Sequence, residues 1–430
     1  MKLFPHQEEA LNLTEGFQNI AVYHDMGLGK TFTGSEMMKR FGCRNNLIIC
    51  QKSKVNDWVE HFRMYYSYVP EFTYDLTDKK QFGTFFEHAG CEEKVEDCFG
   101  IINYELAWRR KELLKLKDFC LMLDESSLIQ NSKAKQSKFI LKLKPDHVIL
   151  LSGTPTGGKY ENLWTQVHLL GWGIKEDLFL RRYVNWRKIE VGGLIRKIVD
   201  KADPYKNIDS LKDRMREYGA IFKKTEECYQ LPEQIFTKVF VKPPREYWTF
   251  RRDSIVSVDS VELVGDTTLT KMLYQRQLCG QYNPCKLDAL HDLLESTNDR
   301  VIVFYNFDCE LHKIKDLCAA LNRPVSEVNG HNKDLIAYED ETNSVTLCQY
   351  RSASKGLNLQ KCNRIVYFTL PLGSEDFEQS KKRIHRIGQE HSCFYYLMLS
   401  TGTIEESILS TLEQRKDYTD ELFRKENEHD

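Results

Sequence analysis

Near-continuous apolar runs, separated by helix-period segments, occupy two stretches of the chain. In the first, Asn19–Tyr23, Asn46–Gln51, Phe99–Tyr104, Phe119–Glu125 and His147–Thr154 read as buried strands, with periodic segments such as Phe32–Phe41 as helices. In the second, the strand-like runs are Val301–Asn306, Val325–Asn329, Val345–Tyr350, Ile365–Phe368 and Phe394–Leu399. Strands that are apolar throughout have both faces covered, which is the pattern of a parallel sheet between helical layers. The pattern predicts an α/β protein with two such layers in tandem. In open sheets of this kind the chemistry sits beyond the carboxyl ends of the strands. Lys30, Lys52, Tyr104, Asp124, Glu125, Gly153 and Thr154 all fall there.

Between residues 171 and 285 helical runs dominate, with one interruption. Two β-rich arms, Asn185–Val191 and Leu194–Val199, flank Gly192-Gly193 and read as a hairpin. The expected division is therefore 1–170, 171–285 and 286–430, the middle part being a mainly helical insert carrying the hairpin.

Composition narrows the class. The chain has 430 residues, 41% hydrophobic and 29% charged, which suits two or three globular domains. No apolar run approaches the roughly 20 residues of a membrane span, and the start, MKLFPHQEEA, lacks the apolar core of a signal peptide. Thirteen cysteines are scattered, odd in number and without a C-x-x-C pair, so reduced thiols in a cytoplasmic protein are expected. The net charge of −2 means that any nucleic-acid partner must be recognised by local patches. One such patch lies between 181 and 206, where eight Lys or Arg face three acids, with Tyr183, Trp186 and Tyr205 interleaved. Arg187, Lys188, Arg196 and Lys197 in its hairpin suit a phosphate backbone; a solvated hairpin face gives the same pattern.

The sharpest chemical signal is Met26-Gly27-Leu28-Gly29-Lys30-Thr31, between a strand and a helix. Glycines let backbone N–H groups turn onto phosphate oxygens, and the following helix aims its positive end at the same anion. Lys30 would reach the β- and γ-phosphates and Thr31 would hold Mg²⁺. His24 stands where the strict phosphate-loop pattern has its first glycine. Asp124-Glu125, at the end of a buried strand, forms a second pair: one acid for a Mg²⁺ shell, one to activate water. Gln7, just after Pro5, carries an amide able to read an adenine edge. Arg383 and Arg386 are three residues apart, which places them on one helix face.

In this order the motifs resemble those of the Swi/Snf-type ATPases of helicase superfamily two, over nearly the whole chain. Pro5-His6-Gln7 is similar to the adenine-reading entry of that family. Met26 to Thr31 matches motif I, Leu47 to Trp58 motif Ia, Asn103-Tyr104-Glu105 motif Ib, Asp124-Glu125 motif II, and Leu151 to Pro155 motif III. Val303 to Asn306 resembles motif IV, Arg351 to Leu359 motif V, and Gln379, Arg383, His385, Arg386, Gly388 and Gln389 match motif VI. Lys223-Lys224-Thr225 resembles the hinge between lobes; Lys286-Leu287 and Gly402 to Glu406 are further markers. Departures are Ser126-Ser127 where motif II ends in histidine, Thr156-Gly157-Gly158 after motif III, and Ala353-Ser354 where motif V has paired glycines. The Gly-Gly hairpin is similar to the insert of the compact fork-remodelling, strand-annealing branch.

The resemblance implies two tandem RecA-like lobes and an ATP-dependent DNA translocase, moving along duplex or forked DNA without reading sequence. Gln7, Gly27, Leu28, Gly29, Lys30, Thr31, Gly356, Arg383 and Arg386 would contact ATP. Lys30, Asp124, Glu125, Arg383 and Arg386 would be catalytic, and Thr31 and Asp124 would hold Mg²⁺. DNA would lie on Lys52, Ser53, Asn103, Tyr104, Thr154, Tyr305, Asn306, Arg351, Ser352 and the four basic residues of the hairpin. The lean form suits a bacteriophage or mobile-element genome, with the bacterial host cytoplasm as its place if phage-encoded, acting as a monomer. Two alternatives stand: a strand-separating helicase with the 186–198 hairpin as wedge, and an ATP-gated non-motor adaptor for a replication or nuclease partner.

Overall fold

The computed structural model describes residues 2–66, 72–91, 97–191, 194–200, 202–350 and 357–423. The chain divides into two compact units, Met1–Cys228 together with the segment from Asp417, and Tyr229–Lys416. Each is built on one seven-stranded sheet.

The first sheet contains β1 (Asn19–His24), β2 (Asn45–Cys50), β3 (Thr73–Asp75), β4 (Cys98–Asn103), β5 (Phe119–Asp124), β6 (His147–Leu151) and, after the hairpin β7 (Trp186–Val191) and β8 (Leu194–Val199), β9 (Ala220–Lys223). Its order is β3-β4-β2-β5-β6-β1-β9, and every pair is parallel. The uniformly apolar strands follow from two cores, one on each face. Ala21, Tyr23, Leu47, Ile49, Leu121, Leu123 and Leu150 enter one; Ile20, Val22, Ile48, Cys50, Met122, Ile149 and Leu151 enter the other. Successive side chains of a strand point to opposite faces, so a sheet covered on both sides leaves no solvent-facing position within its central strands.

The second sheet repeats the plan with β10 (Gln234–Val241), β13 (Val301–Tyr305), β14 (Val325–Val328), β15 (Lys333–Asp334), β16 (Val345–Gln349), β17 (Arg364–Tyr367) and β18 (Cys393–Ser400). Its order is β10-β18-β17-β13-β16-β14-β15, parallel except for β14–β15. Ile302 and Phe304 face one core while Val301, Val303 and Tyr305 face the other. The buried ion pair Lys286 Nζ–Glu405 Oε1, at 2.5 Å, joins helix Pro284–Glu295 to the start of helix Ile404–Phe423.

The stretch 171–285 is shared between the two units and holds more strand than its sequence pattern suggested. It supplies one edge strand to each sheet, β9 and β10, and a second hairpin, β11 (Ile255–Val258) with β12 (Val261–Val264). Its turn residues Asp259 and Ser260 both have positive φ, 48° and 62°, as the tight two-residue hairpin turns require. The hairpin β7–β8 forms as expected, while its tip, Gly192-Gly193, lies outside the described residues. Helices Glu176–Tyr183, Ile208–Glu217, Arg245–Asp253 and Thr268–Cys279 fill the rest.

Candidate functional site

At the carboxyl edge of the first sheet, β1 turns into helix α2 (Lys30–Phe41) through a loop shaped by Gly27 and Gly29, at φ 89° and 67°. Helix α1 (Pro5–Leu13) closes over this loop. His6 Nε2 meets Leu28 O at 2.9 Å, and Gln7 Nε2 donates to Gly29 O at 3.0 Å. The approach is tight: a Cβ at Gly29 would lie 2.6 Å from Gln7 Nε2. The Gln7 amide also accepts from Phe4 N at 2.9 Å, so in this structure both of its ends secure the loop entrance. From the other side, the Asp25 carboxylate accepts from Thr225 N and Oγ1 at 3.2 and 3.3 Å, latching the segment after β9 to the loop.

Lys30 Nζ donates to His24 O at 2.7 Å and to Asp25 O at 3.0 Å, placing its ammonium inside the loop. Gly153, just past β6, lies against it: a Cβ there would be 3.5 Å from both Lys30 Nζ and His24 O. His24 is buried, and burial together with the nearby Lys30 charge lowers its pKa to about 3, so the imidazole is neutral. A helix N-terminus without an acid in its first turn, two glycines at positive φ and an ammonium make an anion cradle.

Beside the cradle, β5 ends in Asp124. Burial pushes its carboxyl above the usual range, opposed by the Trp58 N–H and the Lys30 charge. Trp58 Nε1 donates to Asp124 Oδ2 at 2.8 Å. Glu125 follows at φ 58°, ψ 57°, a left-handed conformation that costs a non-glycine residue about 1 kcal/mol or more. Tyr104 supports this bend: its buried hydroxyl donates to Asp124 O at 2.9 Å, and burial followed by the Asp124 charge raises its pKa well above the ordinary value. Tyr104 thus stands beneath the two acids, not on an outer surface facing a phosphate chain. Asn103 is also buried, its amide donating to Glu105 at 2.7 Å, and Thr154 is buried.

One residue of this edge carried no signal in the motifs. The buried amide of Gln166 accepts from Tyr23 OH at 3.0 Å and from Ser126 Oγ at 2.8 Å, and donates to Pro155 O at 2.7 Å. It ties the strand before the phosphate loop, the turn after the acids and the turn after β6 at a single group. The only trace in the sequence is an amide between Thr165 and Val167 in the short helix Trp164–Leu169, whose buried residues are these three.

In the second unit the arginines depart from expectation. Helix Ser374–Lys381 ends before Arg383, so Arg383 and Arg386 sit in the turns that follow and share no helix face. Arg383 is buried, its guanidinium donating to Gln379 O and Leu357 O, each at 3.1 Å. Arg386 reaches the Asn358 side chain, and burial lowers its pKa from the ordinary value. Tyr305 is wholly buried, and the Asn306 amide donates to Thr369 O, Thr369 Oγ1 and Leu370 O, holding strand ends together. Arg351, Ser352 and Gly356 lie outside the described residues.

Lys52 and Ser53 are exposed on the turn Lys52–Lys54, which opens helix α3 (Val55–Tyr65). Arg187, Lys188, Arg196 and Lys197 are all exposed, and Lys188 pairs directly across the hairpin with Lys197. Like charges placed opposite one another destabilise a hairpin, so this pair suits an anionic partner better than it suits the fold. Among the described residues no helix is long and apolar enough to cross a membrane, and no group of three His, Cys, Asp or Glu could hold a metal ion.

Residues 6–281 match the SNF2-related domain family, and residues 285–388 match the helicase conserved C-terminal domain family. The chain is 24% identical, over 99% of its length, to YwqA of Bacillus subtilis, named as an ATP-dependent helicase/translocase, and covers 49% of that protein. It is 23% identical to YqhH of the same organism, named as an uncharacterized ATP-dependent helicase, covering 96% of this chain and 78% of the relative. It is 21% identical to the SWI/SNF-related matrix-associated actin-dependent regulator of chromatin subfamily A-like protein 1 of Xenopus tropicalis, covering 96% of this chain and 44% of the relative. The chain thus spans about half the length of the first and third of these. A solved SWI2/SNF2 ATPase core of Sulfolobus solfataricus in complex with dsDNA aligns with a TM-score of 0.45 at 19% identity, over 98% of this chain and 92% of that one.

Proposed function

The chain belongs to the SNF2-related family, and on that premise we propose that it is an ATP-dependent motor that moves along duplex or forked DNA. One observation carries the reading: the glycine loop, Lys30, the Asp124–Glu125 pair and Gly153 converge at the carboxyl edge of one parallel sheet. The residues present suit a nucleoside triphosphate with Mg²⁺. A cradle of glycines and helix N-terminus takes the phosphates. Mg²⁺ in such sites keeps waters and phosphate ligands and needs only one or two protein groups, here Thr31 and Asp124. When bound, the ion neutralises charge on the transferring phosphoryl group.

In this mechanism the backbone of Gly27 to Gly29 and the Lys30 ammonium hold the β- and γ-phosphates. Glu125, projected by its left-handed backbone, orients and deprotonates the attacking water. Arg383 and Arg386 of the second unit act on the same γ-phosphate; in other motors such arginines are worth about 10³–10⁵ in rate. To do so they leave the Gln379 and Leu357 carbonyls and the Asn358 amide. Lys52, Ser53 and the hairpin arginines and lysines grip phosphates without reading bases. Residues 171–285 act as the insert between a first motor part, 1–170, and a second, 286–430. A change in affinity between nucleotide states then drives stepping.

The test is the steady-state ATPase rate with no nucleic acid, single-stranded DNA, duplex DNA, forked DNA and duplex RNA, at one fixed low salt concentration because backbone binding falls steeply with salt. Stimulation by duplex or forked DNA is expected, together with loss of hydrolysis in Lys30→Ala. A Lys30→Ala protein with the wild-type rate, or a wild type that no DNA stimulates, would remove the reading. The paired Lys188–Lys197 and the exposed Trp186 and Ile195 on the same hairpin favour a second reading, strand separation with the hairpin as wedge. Strand-displacement assays score that activity, whereas a pure duplex translocase displaces a triplex strand.

A further inference from the structure

We propose that Trp58 is a positioning residue for hydrolysis, one that fixes the aim of Asp124 and ties it to the helix beginning at the basic turn Lys52–Lys54. The inference rests on the assignments made above of Asp124 to the Mg²⁺ shell and of that turn to nucleic acid.

Trp58 is buried, and its indole has one donor and no acceptor, so its bond to Asp124 Oδ2 runs in one direction only. The ring cannot swing away. It stacks on Phe62 at 5.7 Å between centroids and meets the edge of His61 at 5.5 Å. On the main-chain side, the Tyr104 hydroxyl holds the Asp124 carbonyl, so backbone and carboxylate are fixed from two different elements. The same helix makes a second tie three residues on. His61 Nε2 lies 3.0 Å from Ser35 Oγ, which donates to Thr31 O at 2.9 Å. Residues three apart share a helix face. One face of α3 therefore holds both elements assigned to the ion, the carboxylate through Trp58 and the Thr31 backbone through His61 and Ser35.

The helix starts where Lys52 and Ser53 are exposed, and Lys54 closes the turn on Asp57 at 2.6 Å. A phosphate gripped at this turn bears on the helix N-terminus. Because Trp58 lies only one turn further along, a shift of α3 there moves the Asp124 carboxylate relative to Lys30. The track and the ion site are joined by a single rigid helix and one N–H.

The experiment uses the full chain with Trp58→Phe, which keeps an aromatic ring and removes the donor, and Val59→Ala, at a buried position of the same helix, as a packing control. ADP affinity is measured by calorimetry in Mg²⁺ and in EDTA, and kcat with and without duplex DNA. For Trp58→Phe the enhancement of ADP affinity by Mg²⁺ falls about 10-fold, the size of one hydrogen bond to a charged acceptor, and the stimulation of kcat by DNA falls with it. Val59→Ala lowers Tm and leaves both ratios at the wild-type value. A Trp58→Phe protein with wild-type ratios overturns the inference while the motor reading stands, and so does a Val59→Ala protein that loses them equally. A wild type without Mg²⁺-dependent ADP binding overturns both.

Discussion

Ser126 donates its hydroxyl to Gln166 Oε1 at 2.8 Å, and both side chains are sealed from solvent. Tyr23 donates to the same oxygen, so Gln166→Leu strands two donors and the Pro155 carbonyl at once. Buried groups left without partners cost about 1–3 kcal/mol each. The variant should therefore melt well below wild type, with a ΔΔG of about 2–4 kcal/mol after partial rearrangement. Gln166→Glu keeps both acceptor bonds and loses the donor to Pro155, so it should fall between the two. Thermal melts of the three proteins at one pH give the ranking.

Glu125→Gln keeps the size and the backbone bend of the side chain and removes its basicity. ADP binding in Mg²⁺ should remain within a few-fold of wild type, while kcat falls by about 10²–10⁴, the usual weight of a general base. Calorimetry and a steady-state assay on one preparation separate the two effects.

His61 carries a pH signature. Burial lowers its pKa to about 4, against about 6.5 in an unfolded chain. Between those values the unfolded state binds the extra proton, so stability rises with pH and is lost as the pH falls from 6.5 toward 4. His61→Phe fills the same aromatic surroundings without a titrating group. Its Tm should fall less steeply than that of wild type across this window, even if it starts lower for want of the bond to Ser35.

The hairpin can be tested through salt. Each DNA phosphate that a lysine or arginine neutralises adds about 0.9 to the steepness with which log K falls against log salt on duplex DNA. Lys188→Ala with Lys197→Ala should make that slope shallower by up to about 2, and because these side chains are exposed, Tm should change little. Duplex affinity measured at several salt concentrations reads the slope directly.

The two sheets were legible because burial on both faces writes itself as uninterrupted apolar runs, as in Leu47–Cys50 and Phe119–Leu123. The strands without such a signature are those where this rule fails. β9 is four residues long, and β10 is an edge strand with little burial, Phe236, Thr237, Lys238 and Phe240 all being exposed. The cradle was legible because its glycines and Lys30 sit together in the chain. The polar partners around it were not. Trp58 lies 66 residues from Asp124 in sequence and Gln166 lies 40 from Ser126, and spacing carries no information about partners so far apart. Tyr104 and Asn306 point elsewhere than expected for a related reason. A polar residue at the end of a strand can face outward to a ligand or inward to a carbonyl, and the sequence pattern is the same in either case.

The bond from Thr225 to Asp25 has a mechanical meaning. Thr225 lies three residues before Cys228, on the segment through which the chain leaves the first unit. With Asp25 N also held by Lys223 O at 2.9 Å, the phosphate loop and the exit of the chain are riveted twice within three residues. Tension applied beyond Cys228 is therefore delivered to the backbone beside Lys30 before it reaches the rest of the sheet, which makes the nucleotide cradle the first part of this unit to feel a load.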